Sequence, residues 1–197
     1  MKIRITPGAV LLWLAILPKG PIRLVSTLLA AAIHECGHLL AAHLLKLPMR
    51  RMEIDLLGAR LYPARALPSY KAEAILAAAG PLFSLLPALV PWQSPFFLAL
   101  RAASLSFALF NLLPIDGFDG GRLLSALLFW LLGQERGEHL LQWISYFTLL
   151  LLFSLSACLL LRYGSDAAMT VVAASLFGRL LTTSPEVTIN RQKKARI

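Results

Sequence analysis

At 197 residues, with 15% charged and 58% hydrophobic side chains and a mean hydropathy of +0.71, the chain is far from the roughly 25% charged, 45–50% apolar make-up of a soluble domain. This balance excludes an ordinary soluble enzyme, and two cysteines, Cys36 and Cys158, both in apolar stretches, exclude a disulfide-built scaffold. The net charge of +9 would suit nucleic acid, but the placement of the basic residues along the elements described next argues for membrane topology instead.

Six apolar segments approach the roughly 20 residues that a spanning helix needs, and they predict an all-α polytopic membrane protein. The first, Ile5 to Leu17, follows Lys2 and Arg4 in the manner of a signal peptide. Pro18-Lys19-Gly20-Pro21 offers no small-residue cleavage site, so it reads as a retained span. The second, Arg23 to Leu45, contains His34-Glu35-Cys36-Gly37-His38. On a helix the two histidines of H-E-x-x-H lie four residues apart on nearly one face, where both imidazoles can grip one Zn²⁺ while the glutamate reaches a catalytic water. With four His and six Glu in the chain, chance would produce the pattern roughly 0.002 times, so it directs the rest of the reading. Cys36 falls on the other side of the helix, where it is expected to pack against a neighbour, and His43 and His139 are not placed to join the histidine pair.

Lys46 to Tyr70 is the long polar connection, and within it Met52, Ile54 and Leu56 alternate with Arg51, Glu53 and Asp55. Together with Gly58 and the run Ala59 to Tyr62, this predicts a small membrane-associated β-hairpin, ended by Pro63 and Pro68. The third and fourth spans are Lys71 to Val90 and Phe96 to Leu112; Arg101, near the start of the fourth, is expected to snorkel to the interface. After a Pro and Gly-rich break comes Arg122 to Leu132, too short to cross unaided, then the fifth and sixth spans, His139 to Leu161 and Asp166 to Leu181. With the N-terminus in the cytoplasm, fifteen of the nineteen Lys and Arg fall on the cytoplasmic side and three opposite, Arg101 lying within a span. That asymmetry predicts a multi-pass cell-membrane protein with both termini cytoplasmic, its basic tail touching anionic lipid and no nucleic acid. No internal repeat or separate soluble domain is visible, so residues 1–197 read as one polytopic domain.

A zinc hydrolase takes three protein ligands and leaves a position for water, so a third ligand is needed beside His34 and His38. Glu73 and Asp166 sit at helix N-termini, where the helix dipole favours an acid whatever its role. Asp116 and Asp119 remain, both in Asn111-Leu112-Leu113-Pro114-Ile115-Asp116-Gly117-Phe118-Asp119-Gly120-Gly121-Arg122. A broken helix carrying acids at membrane depth is tolerated where it faces protein or a wet cavity.

These residues resemble the site-2 proteases, zinc intramembrane metalloproteases (peptidase family M50) that carry H-E-x-x-H in one helix and an N-P-D-G signature later. Asn111, Pro114, Asp119 and Gly120 stand at the signature positions, and Gly80-Pro81 after Ala77-Ala78-Ala79 resembles the family's small-residue third helix. Within the family the resemblance is to the stage IV sporulation protease group, with no PDZ insertion, and with no CBS domain, in which this chain departs from that group's better-known members. The resemblance implies Asp119 as third ligand, Zn²⁺ as cofactor and Glu35 as general base. It also implies Asn111 and Pro114 as residues that orient substrate, and regulated intramembrane proteolysis of a membrane-embedded or membrane-tethered protein, such as a sporulation sigma-factor precursor, under inhibitory membrane partners.

A helical substrate has its amides paired and must unwind before cleavage, and the segment Met52, Ile54 and Leu56 is expected to hold the unwound stretch as an added strand. Two other readings compete. A prenyl-protein or heat-shock type of membrane metallopeptidase needs a later intramembrane glutamate, which this chain does not offer. An inactive membrane metal-binding protein or substrate receptor would need the histidines but not Glu35.

Overall fold

A computed structural model describes residues 2–5, 20–55, 58–63 and 69–163. Strand β1 (Lys2–Ile5) is followed by helix α1 (Pro21–Leu44), strands β2 (Met49–Asp55) and β3 (Gly58–Pro63), helix α2 (Tyr70–Ser84) and a 3₁₀ turn (Leu86–Leu89). Helices α3 (Pro95–Asn111), α4 (Asp119–Leu132) and α5 (Gln134–Tyr163) complete the order.

The helix ends follow from local chemistry. Pro21 opens α1 and Pro95 opens α3 at positions where the missing amide hydrogen has no helical partner to lose. Ser69 and Ser94 cap α2 and α3, their hydroxyls accepting from the amides of Ala72 (3.2 Å) and Phe97 (3.5 Å). Pro81 lies inside α2, and three residues later the helix gives way to the 3₁₀ turn, whose carbonyl end is held by Arg101: its guanidinium donates to the carbonyls of Val90 and Trp92. Arg101 is thus spent on a chain end and is half-buried. Gly133, at φ +78°, makes the sharp corner between α4 and α5.

His34 meets Ser84 while His38 meets Leu76, so α1 and α2 run antiparallel. α1 also packs on α3, and α4 packs on α2 and α5. The contacts are made by small residues (Ala30, Ala41, Ala42, Ala72, Ala77), which let helix backbones approach closely where lipid supplies no hydrophobic drive between them. Two small apolar clusters form, Ala41, Ala42 and Leu76 between α1 and α2, and Ile115, Phe118 and Leu149 between the α3–α4 connection and α5. Outside, Trp130, Trp143, Phe147 and Leu109 are each 70–73% exposed, an apolar surface suited to lipid.

The mostly helical architecture agrees with the sequence reading, but the number of spans does not. Among the described residues three segments are long and apolar enough to cross a membrane: Pro21–Leu44, Tyr70–Leu89 and Gln134–Cys158. The expected fourth span, α3, has 17 residues, which at 1.5 Å per residue is about 26 Å against a hydrocarbon core of about 30 Å. The expected first span is cut at its start, because Ile5 closes a strand; residues 6–17 of it, and the whole sixth span, lie outside the described residues.

The sheet also differs from the expected two strands. Its order is β1-β2-β3, with β1 parallel to β2 and β3 antiparallel to β2. Met52 is paired with Ile3 on one side and Leu61 on the other, and Ile54 with Ile5 and Ala59. Leu56, and with it the turn of the expected hairpin, lies outside the described residues. Period-2 alternation in Met49–Asp55 announced the strand, but no local pattern connects it to a partner some fifty residues earlier.

Candidate metal centre

His34 and His38 occupy successive turns of α1 and point the same way, with ring centroids 4.9 Å apart. Their Nε2 atoms are 3.2 Å apart, and each is 3.1 Å from Oδ2 of Asp119. All three side chains are buried. Three donor atoms thus form a near-equilateral triangle. A tetrahedral zinc with bonds of 2.0–2.1 Å holds its ligand atoms about 3.3 Å apart, within about 0.2 Å of every edge seen here.

The outward faces of the two rings decide what the inward faces offer. The carbonyl of Leu76 can only accept, so Nδ1 of His38 donates to it at 2.8 Å, and in the neutral ring Nε2 is left with a lone pair. Ser84 Oγ stands 2.9 Å from Nδ1 of His34 and, as a hydroxyl, can accept from it in the same tautomer. Two lone pairs and a carboxylate oxygen then converge on one buried point, and three acceptors at about 3 Å repel one another unless a cation lies between them. The donor set is of the kind that suits zinc: imidazole nitrogen and carboxylate oxygen.

Gly80 of α2 borders this point. A Cβ on it would lie 2.2 Å from Nε2 of His38 and 2.8 Å from Nε2 of His34. Only a residue without a side chain leaves the space beside both nitrogens clear.

Asp119 is set by its place at the start of α4, where the helix dipole favours an anion. The two glycines after it permit that placement: a Cβ on Gly120 would come within 2.1 Å of the Leu112 carbonyl oxygen, and one on Gly121 within 2.0 Å of that of Ile115. Buried Phe118, next to Ile115 and Leu149, anchors the preceding turn. Asp116, the other acid of the segment, is exposed at the turn, and its amide donates to Ser145 Oγ at 2.9 Å. Among the described residues the group that could hold a metal is His34, His38 and Asp119.

Glu35 is half-buried on α1 between the histidines. Asn111 is half-buried at the end of α3, its side-chain amide donating to the Phe107 carbonyl at 3.0 Å. Pro114 is half-buried two residues beyond α3's C-cap, its carbonyl accepting from Ser145 Oγ at 3.4 Å. Cys36 and Cys158 are free and exposed, so Cys36 does not pack inward as expected. His43 and His139 are exposed and apart from the centre. Sequence reasoning did not foresee Leu76 and Ser84 as ring partners, nor Phe107, whose ring centroid lies 6.1 Å from that of His34. Gly80 carried a sequence signal as part of a small-residue helix, but its closeness to the two nitrogens did not.

Residues 89–155 match the family model of Peptidase family M50. That stretch includes Asn111, Pro114 and Asp119 and leaves out the histidine pair. The whole fold is similar to a solved structure described as "Site-2 Protease from Methanocaldococcus jannaschii", with a TM-score of 0.64 at 18% sequence identity, over 91% of this chain and 89% of that one. A search of curated proteins gave no match. The M50 match supports a metallopeptidase, and the structural likeness shows the fold.

Proposed function

We propose that the protein is a zinc-dependent intramembrane endopeptidase whose metal is held by His34, His38 and Asp119. The observation that carries this is the convergence of three buried acceptors at 3.1–3.2 Å beside a glycine that leaves the space open. When bound, zinc supplies Lewis acidity, polarising a scissile carbonyl and making water acidic enough to yield a proton near neutral pH. Glu35, next to His34 on α1, takes that proton and returns it to the leaving amine. The Leu76 carbonyl holds His38 in the tautomer that presents Nε2, and Ser84 can accept from Nδ1 of His34 in the same tautomer.

The substrate is a membrane-embedded or membrane-tethered protein, unwound near the site. Because β2 has partners on both edges, main-chain pairing with a substrate falls to the outer edge of β1 or β3, and Met52 and Ile54 belong to the central strand. Asn111 and Pro114 orient the strand at the start of the α3–α4 connection. The charge asymmetry supports cytoplasmic termini, and the motif resemblance supports a bacterial membrane and a sporulation sigma-factor precursor as substrate, restrained by membrane partners.

The test is zinc content and cleavage of a membrane-tethered substrate by the purified protein. Glu35→Gln should keep the metal and lose cleavage, and Asp119→Asn should lose both. Asp116→Asn should keep both. A wild type without zinc, or normal cleavage by Glu35→Gln, would replace the protease by a membrane receptor.

A further inference from the structure

The two oxygens of Asp119 face different ways. Oδ2 points at the histidine nitrogens, while Oδ1 lies 3.7 Å from Nη1 of Arg122, one turn along α4. Arg122 is held in turn from another helix: its Nε donates to Oε1 of Glu73 at 2.6 Å, in the first turn of α2. One guanidinium therefore engages two carboxylates through different nitrogens, which its rigid fork allows and a lysine ammonium does not reproduce. Both partners are largely shielded, with side-chain exposures of 27% for Arg122 and 20% for Glu73. Removing one charge of such a pair leaves the other poorly compensated.

We propose that Arg122 is a positioning residue for the metal ligand Asp119, aimed by Glu73 from the start of α2. An aspartate carboxylate turns freely about its Cβ–Cγ bond and can present either oxygen inward or bridge with both, and an ordered cation on the outer oxygen selects the single inward oxygen seen here. The chain of contact runs from Glu73 through Arg122 and Asp119 to the two histidines, and so joins α2, α4 and α1 at one point. This rests on the metal reading above. The competing account makes the Glu73–Arg122 pair a strut between α2 and α4 with no effect on Asp119.

Full-length protein purified in detergent separates the two, with Zn²⁺ affinity measured by chelator competition and the visible spectrum of bound Co²⁺ reporting ligand geometry. Arg122→Gln should weaken Zn²⁺ binding 10- to 100-fold, the range for a lost outer partner of a metal ligand, and shift the Co²⁺ bands with the helical circular dichroism unchanged. Arg122→Lys should fall between. The exchanged pair Glu73→Arg with Arg122→Glu restores the strut but sets a like charge against Asp119, so it should recover the thermal midpoint and not the affinity. If Arg122→Gln does not fold, Glu73→Gln decides by the same readouts, since it frees the guanidinium while leaving its charge in place. Affinity within twofold of wild type in the single variants, or affinity recovered by the exchanged pair, overturns the proposal and leaves the metal reading standing. A wild type that binds neither Zn²⁺ nor Co²⁺ overturns both.

Discussion

Gly80 shows how much one absent side chain can decide. The spacing of His34 and His38 sets both rings on one face of α1 from sequence alone, because residues four apart overlie on a helix. The space they point into is set by another helix, and there a single methyl would press on both nitrogens. Gly80→Ala should therefore abolish zinc binding while leaving helical content intact or raised, since alanine favours a helix over glycine by about 1 kcal/mol. Metal stoichiometry of the purified variant checks this, and a full complement of zinc would show that the site lies elsewhere. Asp116 and Asp119 make the same point from the side of the acid. Both were open as ligands on composition and depth, and a difference of three residues separates an exposed turn from a buried helix start.

Among the elements, α4 is placed tightly at its start. Its first residues, Asp119-Gly120-Gly121, lie against the carbonyls of the turn that precedes it, so the position of Asp119 depends on the two residues after it. Gly120→Ala should destabilise the fold by about 1–3 kcal/mol, the usual cost of overpacking, and lower zinc affinity in step as Asp119 is displaced. Thermal unfolding with a parallel zinc titration reads both, and unchanged values would mean that the turn yields without moving the acid. Helix α2 was legible as an apolar run with an acid at its start, yet what it carries was not: the carbonyl for His38, the hydroxyl for His34, the gap at Gly80 and the anchor Glu73. Each is a contact across helices, and hydropathy periodicity has no term for it. The sheet taught the same lesson, since alternation marked β2 but not its parallel neighbour β1.

Across the whole molecule, α1 and α4 supply the three donors but meet mainly through α2. A bound ion would tie them directly, so it should stabilise the fold as well as serve the reaction. At free zinc 100- to 1,000-fold above Kd the linkage is about 2.7–4.1 kcal/mol, which for a chain of this length corresponds to roughly 5–15 °C in melting temperature. Chelation should lower the midpoint by that order, and His34→Ala should melt at the chelated value with no response to chelator. An equal response in both would place the stabilising metal outside this centre.

The sequence by itself determined the composition of a membrane protein, the apolar helix bearing the histidines and glutamate, and the short list of acids from which a third ligand could come. These are local properties, fixed by residue type and by spacings of two or four along the chain. The motif resemblance already pointed to Asp119, and only the tertiary structure decided that its carboxylate reaches the rings while Asp116 stays exposed at the turn, that Gly80 clears the space beside them, and that β2 lies inside its sheet. Those outcomes join residues 38 to 85 positions apart at the candidate metal centre and about fifty apart in the sheet, and through-space contacts of that separation are set by how helices and strands pack, which no local spacing encodes.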